Sequence, residues 1–388
     1  MNPSWLEPAS KFVDSQFPAA IGTLGKLVKI PGIAWPSFDP ENLERSASAV
    51  AEEFRKLDFF DFVDIRRSLK PSGEKGSPAV LARRAGSDGA PHVLLYAHHD
   101  VQPPGENGLW NTEPFEATLV GERLYGRGAS DDKAGIITHL QSIKTLIELA
   151  ETVNLGVTVF IEGEEEAGSE SFPAFLADNE ADLAADLIVV ADSSNWTEDT
   201  PALTTSLRGA VSQTFTLHTL DHAVHSGMYG GPLPDAATAM IQLLATLNDA
   251  HGNVAVSGLV SDATEGPVMD EKEFADAAGL LPGVQRIGDK PITQQIWGEP
   301  AITIIGMDMP AVDVSSNTAQ PSIRARVSLR LAPSQDPQSG LDALKSHLEK
   351  HAPFGSRIEF GRHELGPGYL AKNGWAAGLA HEAFSAAW

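Results

Sequence analysis

Four short apolar runs limit the folds that are open to this chain. Each has the length of a buried β-strand, and they cover residues 79–83, 92–97, 157–161 and 187–191. Between the second and third runs, residues 132–150 carry apolar side chains at helical spacing. Strands that alternate with helices are typical of an α/β sheet. We therefore predict an α/β domain in the first half of the chain.

The pattern changes near residue 205. Residues 206–219 alternate like a half-exposed strand, and an amphipathic helix pattern follows at residues 234–247. A second set repeats this order, with a strand pattern at 322–331, a helix at 336–350 and a strand at 356–360. This order predicts a smaller α+β domain inserted at residues 205–362. The first domain would then cover residues 1–204, and residues 363–388 would be the start of the segment in which the chain returns to that domain.

Composition excludes several classes of function. The 388 residues suggest two or three domains, and the formal charge of −24 repels phosphate backbones, which argues against nucleic-acid binding. The chain has no cysteine, so it has no disulfides, thiolate metal sites or cysteine nucleophiles. Neither a signal peptide nor an apolar run of about 18 residues is visible. We therefore expect a cytoplasmic protein with no membrane partner.

Polar clusters lie close to the ends of these apolar runs. In α/β sheets, functional groups collect beyond the carboxyl ends of the strands. His98 follows the second run, where its imidazole can bind a metal, and Asp100 is placed to orient that imidazole. The other clusters are G-R-G-A-S-D-D-K-A-G at 126–135, E-G-E-E-E-A-G-S at 162–169, and Asp192 after the fourth run.

Each cluster alone has an ordinary structural explanation. The histidines could cap the sheet, the paired aspartates could cap a helix, and the glutamates could form a solvated loop. Together, however, four successive strand ends would carry His, Asp, Glu and Asp in that order. Oxygen ligands with one imidazole suit zinc, manganese or cobalt, and a pair of metals requires a bridging carboxylate. We predict two divalent metal ions, with zinc as the first choice.

The ordered set HxD, GRGxxDDK, EEExGS and a strand-end Asp resembles the aminoacylase–carnosinase family of di-zinc peptidases and deacylases. The resemblance covers nearly the whole chain. It implies a mixed-sheet catalytic domain with helices on both faces, plus an inserted α+β lid and dimerisation domain. It also implies a cis peptide bond between Asp131 and Asp132. The metal ligands that it implies are His98, Asp131 as the bridge, Glu166 and Asp192, with Asp100 orienting His98 and Glu165 as general base.

The resemblance extends into the inserted domain. The segment D-H-A-V-H-S-G at 221–227 is similar to a family segment whose histidine reaches the partner subunit's site, which implies a homodimer with His225 acting in trans. Arg330 matches the arginine that binds the substrate carboxylate, and Thr318 is a further candidate for that pocket. Without the resemblance, the residue pattern predicts only a surface-loop histidine at His225 and a charged strand-surface residue at Arg330.

The resemblance is strongest to the dipeptidase branch, through Y-A-H-H-D-V-Q-P-P-G and H-S-G-M-Y-G-G. It implies hydrolysis of dipeptides or similar small amides by a metal-activated water. An N-acyl amino-acid deacylase or desuccinylase is the alternative enzyme, and a noncatalytic metal-binding remnant is the alternative of another class.

The chain also departs from the family pattern. Ala134 replaces a glycine, and the family's late Gly-Gly-Ser segment and last histidine ligand are not found before Trp388. His363 and His381 lie too early to replace that histidine safely. We therefore expect a truncated chain that holds closer to one metal ion than two.

Overall fold

The computed structural model describes residues 5–264, 266–371 and 374–388. The chain divides into two compact units, Met1–Leu203 with Gly374–Trp388, and Thr204–Asn373. The strand Arg357–Gly366 lies wholly within the second unit.

The first unit alternates helices and strands along most of its length. Its helices are α1 (Leu6–Val28), α2 (Pro40–Arg55), α3 (Lys133–Leu149), α4 (Phe172–Asp178) and α5 (Glu180–Leu183). Its strands are β1 (Phe62–Arg66), β2 (Ala79–Arg84), β3 (His92–His98), β4 (Thr118–Val120), β5 (Arg123–Tyr125), β6 (Gly156–Glu162) and β7 (Leu187–Val190). All four predicted apolar runs form strands, and the predicted helix is α3.

The main sheet of the first unit has the strand order β1-β2-β6-β3-β7. Strand β3 is parallel to both β6 and β7, whereas β2 is antiparallel to β1 and β6. The predicted mixed α/β sheet is therefore confirmed. In the parallel register His98 lies directly opposite Glu162, so the last residues of β3 and β6 meet at one edge of the sheet.

Alternation along the central strand β6 explains why helices cover both faces. Val157, Val159 and Ile161 are buried in one core with side chains of α1, α2 and α3. The intervening Phe160 points to the opposite face, where its ring stacks on that of Phe175 in α4 with centroids 4.8 Å apart. Since successive strand residues face opposite sides, a strand buried on both faces is mostly apolar, and the polar Thr158 in β6 donates its hydroxyl to the carbonyl oxygen of Asp182 at 2.9 Å.

The second unit is built on an antiparallel sheet. Its strands are β8 (Ser206–Leu207), β9 (Gly209–His218), β10 (Val224–His225), β11 (Ala301–Met307), β12 (Thr318–Ala319), β13 (Ser322–Leu331), β14 (Arg357–Gly366) and β15 (Tyr369–Leu370). Its helices are α6 (Ser226–Tyr229), α7 (Ala236–Ala245), α8 (Glu271–Ala278), α9 (Ile292–Trp297) and α10 (Pro337–Lys350), and α11 (Trp375–Ala387) returns to the first unit.

Four of these strands form the sheet β11-β13-β9-β14. Buried residues alternate along β9 and β13, and they pack with α7 and α10 in one core. The opposite face of the sheet is partly or fully exposed. Among the described residues, no helix combines the length and hydrophobicity that a membrane span requires.

Candidate metal centre

His98 ends β3 and is fully buried. Its Nδ1 lies 3.1 Å from the carbonyl oxygen of Asp100 and 3.4 Å from Oδ1 of the same residue. Because both of these atoms only accept hydrogen bonds, Nδ1 carries a proton. Nε2 therefore points away from Asp100, and it lies 3.0 Å from Oδ1 of Asp131.

The surroundings of His98 favour a positive charge. Burial alone would lower the pKa of His98, but the hydrogen bond to Asp100 and the charges of Asp100, Asp132 and Asp192 outweigh it and raise that pKa to about 10. The surrounding carboxylates thus favour the protonated form of the ring. A divalent cation that replaced the Nε2 proton would meet the same negative field.

Asp100 links two parts of the site. It is fully buried, and its two carboxylate oxygens accept the backbone N–H groups of Glu165 and Glu166 at 3.2 Å and 3.1 Å. The carboxylate thereby fixes the start of the glutamate-rich loop against the end of β3. A buried carboxylate that accepts several hydrogen bonds is held in one orientation, which in turn fixes the imidazole beside it.

Asp131 and Asp132 have different surroundings. Asp132 is buried, and its carboxylate accepts the backbone N–H groups of Gly135, at the start of α3, and His98, at 3.2 Å and 3.0 Å. The Asp131 side chain is 66% exposed and has an oxygen near His98 Nε2. The peptide bond between the two aspartates is cis, as the resemblance implies. Asp132 therefore anchors the turn, whereas Asp131 is free to bind a cation.

The structure corrects one expectation about this turn. Asp131 does not follow a strand of the main sheet, because the preceding strands β4 and β5 form a separate two-stranded ribbon. The chain passes from that ribbon through Gly128 into α3. Gly128 has φ +77°, and a Cβ there would lie 2.5 Å from the side chain of Val101. The absence of a side chain at Gly128 thus allows this turn to lie close to the segment that follows β3.

The four glutamates of residues 162–166 divide into two pairs. Glu162 is buried and accepts hydrogen bonds from the hydroxyls of Tyr96 and Ser169 at 2.7 Å and 2.6 Å. Glu164 is also buried, and its carboxylate accepts backbone N–H groups from two neighbouring loops. Although burial would raise the pKa of Glu164, these hydrogen bonds hold it below the usual range. This pair supports the loop.

Glu165 and Glu166 form the other pair, and their side chains belong to the site. Glu166 accepts a hydrogen bond from the amide of Gln102 at 2.5 Å. The carboxylate of Glu165 has no hydrogen-bond partner among the described residues. Burial, together with the charges of Asp192, Glu166 and Asp100, raises the pKa of Glu165 to about 7 against the opposing effect of His98.

Asp192, two residues beyond β7, completes the cluster. Its Oδ1 lies 3.9 Å from His98 Nε2, and burial raises its pKa. Ligand atoms lie within 4.8 Å of one another in two groups, His98 with Asp131 and Glu166, and His98 with Asp132 and Asp192. In the second group Asp132 stands where the resemblance places Asp131, but both Asp132 oxygens already accept N–H groups.

These residues fit a divalent cation. Ligands at about 2.0–2.1 Å in a tetrahedron lie roughly 3.3 Å apart. The observed separations from His98 Nε2, 3.0 Å to Asp131 and 3.9 Å to Asp192, fall on either side of that value. Several half-buried carboxylates around one imidazole also repel one another unless a cation compensates them. The sequence-predicted ligands are therefore brought together at one edge of the sheet.

The three candidates for substrate binding lie in the second unit. His225 on β10 is paired with Thr318 on β12, so the register brings these two together. Nδ1 of His225 accepts the N–H of Gly227 at 3.1 Å, which leaves Nε2 of this exposed side chain free to donate. Arg330 lies near the end of β13, opposite Ala210 on β9.

Apart from Asp100, sequence reasoning did not assign the supporting residues of the site. His99 is adjacent to His98 but points to the other side, where its Nε2 lies 2.8 Å from the carbonyl oxygen of Pro78 and burial lowers its pKa to about 4. Gln102 and Asp132 were likewise unassigned. Because successive residues of a strand face opposite sides, the sequence could have indicated that His98 and His99 do not both face the site.

Comparisons with known proteins agree with this geometry. The family model "Peptidase family M20/M25/M40" matches residues 94–388. The chain belongs to this family. The resemblance inferred from the motifs is thereby confirmed.

Two curated relatives of this M20 chain carry dipeptidase names. The cysteinylglycine-S-conjugate dipeptidase of Corynebacterium striatum is 36% identical over 275 residues, 70% of this chain and 60% of that protein. The beta-Ala-His dipeptidase of Rattus norvegicus is 26% identical over 378 residues, 92% of this chain and 76% of that protein. The chain thus spans about three fifths of the first relative and about three quarters of the second.

Solved structures show the same fold. Human carnosine dipeptidase 1 has a TM-score of 0.79 and 23% identity, covering 95% of this chain and 81% of that chain. The M20 family metallo-carboxypeptidase Sso-CP2 from Sulfolobus solfataricus has a TM-score of 0.69 and 25% identity, covering 88% of this chain and 77% of that chain.

Proposed function

We propose that this chain is a metal-dependent dipeptidase that cleaves dipeptides or similar small amides. The observation that carries the proposal is the convergence of His98 Nε2 with the carboxylates of Asp131, Glu166 and Asp192 at one edge of the sheet. The dipeptidase names of the two relatives support the choice of substrate class.

The first divalent ion would be held by His98, Asp131 and Asp192, whereas a second ion would have only Asp131, as the bridge, and Glu166. Zinc is our first choice, and manganese or cobalt would also suit one imidazole with oxygen ligands. Such ions supply Lewis acidity toward the scissile carbonyl and lower the pKa of a nearby water. Asp100 keeps His98 oriented, because its carboxylate is itself held by two backbone N–H groups.

Glu165 is the proposed general base. Asp100 fixes its backbone, while its carboxylate is free of hydrogen-bond partners within the described part of the chain. A carboxylate in this position can accept a proton from the attacking water and deliver it to the leaving amine nitrogen. Glu162 and Glu164 cannot take this role, because both are buried and hydrogen-bonded away from the cluster.

The substrate-binding residues support a homodimer. Arg330 lies eight residues along β13 from Ser322, which is about 26 Å of extended chain. His225 contacts the segment that precedes Ser322. A dipeptide is far shorter than this separation. If Arg330 binds its carboxylate and His225 contacts its scissile carbonyl, these two residues must come from different subunits. Thr318 is paired with His225, so it would reach the site from the same partner subunit as His225.

Replacing Glu165 by Gln tests the proposal. We expect turnover of dipeptides to fall by about 10²–10⁴-fold with metal content unchanged, because the change removes a proton carrier and no ligand. Glu170→Gln is the matched control, since Glu170 is an exposed glutamate four residues after Glu166. Near-normal activity of the Glu165→Gln protein would contradict the assigned role.

A substrate panel separates the alternatives. Dipeptides and N-acyl amino acids are compared with the same metal-loaded protein. Preferential turnover of the dipeptides supports the proposal, whereas turnover of the acylated amino acids alone would indicate a deacylase. Metal binding without turnover of either class would indicate a noncatalytic protein.

A further inference from the structure

The exposed face of the second unit's sheet carries a row of arginines. Arg324, Arg326 and Arg330 alternate along β13 with its buried side chains. Arg324 bonds Asp308 at 2.7 Å, and Arg326 bonds a carboxylate of β14 at 2.5 Å. Among the described residues, Arg330 has no carboxylate within the 4.0 Å of an ion pair. Within the part of the chain that the structure describes, no carboxylate therefore neutralises Arg330.

Arg208 lies close to Arg330. Ala210 is paired with Arg330, and Gly209 with Leu331, in the register of β9 and β13. Arg208 directly precedes β9, two residues before Ala210, and its pKa responds to the charge of Arg330, so the two side chains lie near each other. Where a ladder continues, a residue two positions along from a paired residue has its Cβ about 7–8 Å from that of the opposite residue. Two arginine side chains at that separation can contact one small ligand.

Arg208 also lacks a carboxylate partner within the described residues. Its guanidinium donates hydrogen bonds to the backbone carbonyl oxygens of Gln295 at 3.4 Å and Glu299 at 3.5 Å. The carboxylate of Glu299 is occupied by Lys290 at 2.8 Å and by two neutral side chains. No acidic side chain in the described ranges thus forms an ion pair with Arg208.

Two adjacent guanidinium groups that have no counter-ion among the described residues are unusual in a chain of net charge −24. Burial lowers the pKa of Arg208, and the charge of Arg330 lowers it further. An anion between them would remove this repulsion. The planar guanidinium forks match carboxylate oxygens in a bidentate geometry, which favours carboxylates as the ligand.

We propose that Arg208 and Arg330 together bind a C-terminal aspartate or glutamate of the substrate. Arg330 takes the main-chain carboxylate and Arg208 takes the side-chain carboxylate. The inference rests on the proposed dipeptidase function and narrows its substrate class. Two positive charges match the two carboxylates of an acidic C-terminal residue, whereas a neutral residue offers only one.

Calorimetric binding of Ala-Glu and Ala-Gln to the metal-loaded Glu165→Gln protein tests this inference. The two dipeptides have nearly the same shape and differ in one charge. We expect Ala-Glu to bind about 10- to 100-fold more tightly, as one charge-assisted hydrogen-bonded contact implies. Adding Arg208→Gln should abolish the difference, and Arg208→Lys should retain part of it. Adding Arg324→Gln, on the same face but paired with Asp308, should leave it unchanged.

Equal affinity for the two dipeptides in the Glu165→Gln protein would overturn the inference. A preference that survives Arg208→Gln would also overturn it. Turnover of Ala-Gln by the unmodified protein is measured separately. Its absence would count against the dipeptidase proposal, while the binding difference would still decide the role of Arg208.

Discussion

Asp100→Asn is the substitution that most directly tests how the site is held together. The Asp100 carboxylate is fully buried, accepts two backbone N–H groups from the glutamate loop, and lies 3.4 Å from His98 Nδ1. Asparagine has nearly the same shape but keeps only one acceptor oxygen. Its NH₂ group must face a donor, either a loop N–H group or the Nδ1 proton of His98.

The expected magnitude follows from these contacts. Loss of one charge-assisted hydrogen bond costs about 1.5–3 kcal/mol, and a buried N–H group is left without a partner. Because His98 would then be misoriented, metal binding would also weaken. Residues that orient a metal ligand by a hydrogen bond typically contribute about 10–100-fold to the affinity for the metal. Since tenfold corresponds to about 1.4 kcal/mol, the two estimates agree. We therefore predict that Asp100→Asn weakens divalent-metal binding by about 10–100-fold.

The assay is competition for Zn²⁺ against a chelating dye. Asp61→Asn is the matched control, because the Asp61 carboxylate accepts the backbone N–H of Ala85 at 2.7 Å in an exposed position on the first unit. The control should bind metal with unchanged affinity. If Asp100→Asn bound Zn²⁺ within twofold of the unmodified protein, the argument that Asp100 orients the site through His98 would be refuted.

Two further predictions test packing and assembly. Gly163→Ala should lower the free energy of unfolding by about 1–3 kcal/mol, because the added Cβ would lie 2.2 Å from the carbonyl oxygen of Pro78. The control is Gly22→Ala in α1, where the added Cβ meets open space. This change should be neutral or stabilising by up to about 1 kcal/mol. Urea unfolding distinguishes the two, and equal effects would contradict the packing argument. Mixing inactive His225→Ala and Glu165→Gln proteins should restore activity in hybrid dimers, because one site then has both groups. Proven subunit exchange without recovery would rule out action in trans.

Most of the first unit's sheet could be predicted from the sequence, because its central strands are continuous apolar runs bounded by polar residues. The run at 157–161 is the clearest case, since β6 is buried on both faces. Strand β1 and helix α1 were not predicted. β1 lies at the edge of the sheet with mixed burial, and α1 buries only four of its residues. Partly exposed elements of this kind leave a weaker hydrophobic pattern.

At the metal centre, the orientation of side chains was the feature that the residue pattern could not predict. The residue pattern placed Glu162, Glu164, Glu165 and Glu166 in one cluster, and the resemblance singled out Glu165 and Glu166. The structure adds that Glu162 and Glu164 support the loop through hydrogen bonds. Adjacent glutamates have the same local pattern, and their orientation depends on partners far away in the chain. The pairing of His225 with Thr318 is of the same kind, because strand register between distant segments is set by tertiary packing.

The most direct test of the metal centre is anomalous diffraction at the zinc edge from crystals of the chain grown with Zn²⁺. We predict a peak about 2.0–2.2 Å from His98 Nε2 and from carboxylate oxygens of Asp131 and Asp192. A second peak about 3.5–4 Å from the first, beside Glu166, would complete the pair with Asp131 as the bridge. Zinc bound elsewhere on the chain, with no peak at His98 Nε2, would contradict the account.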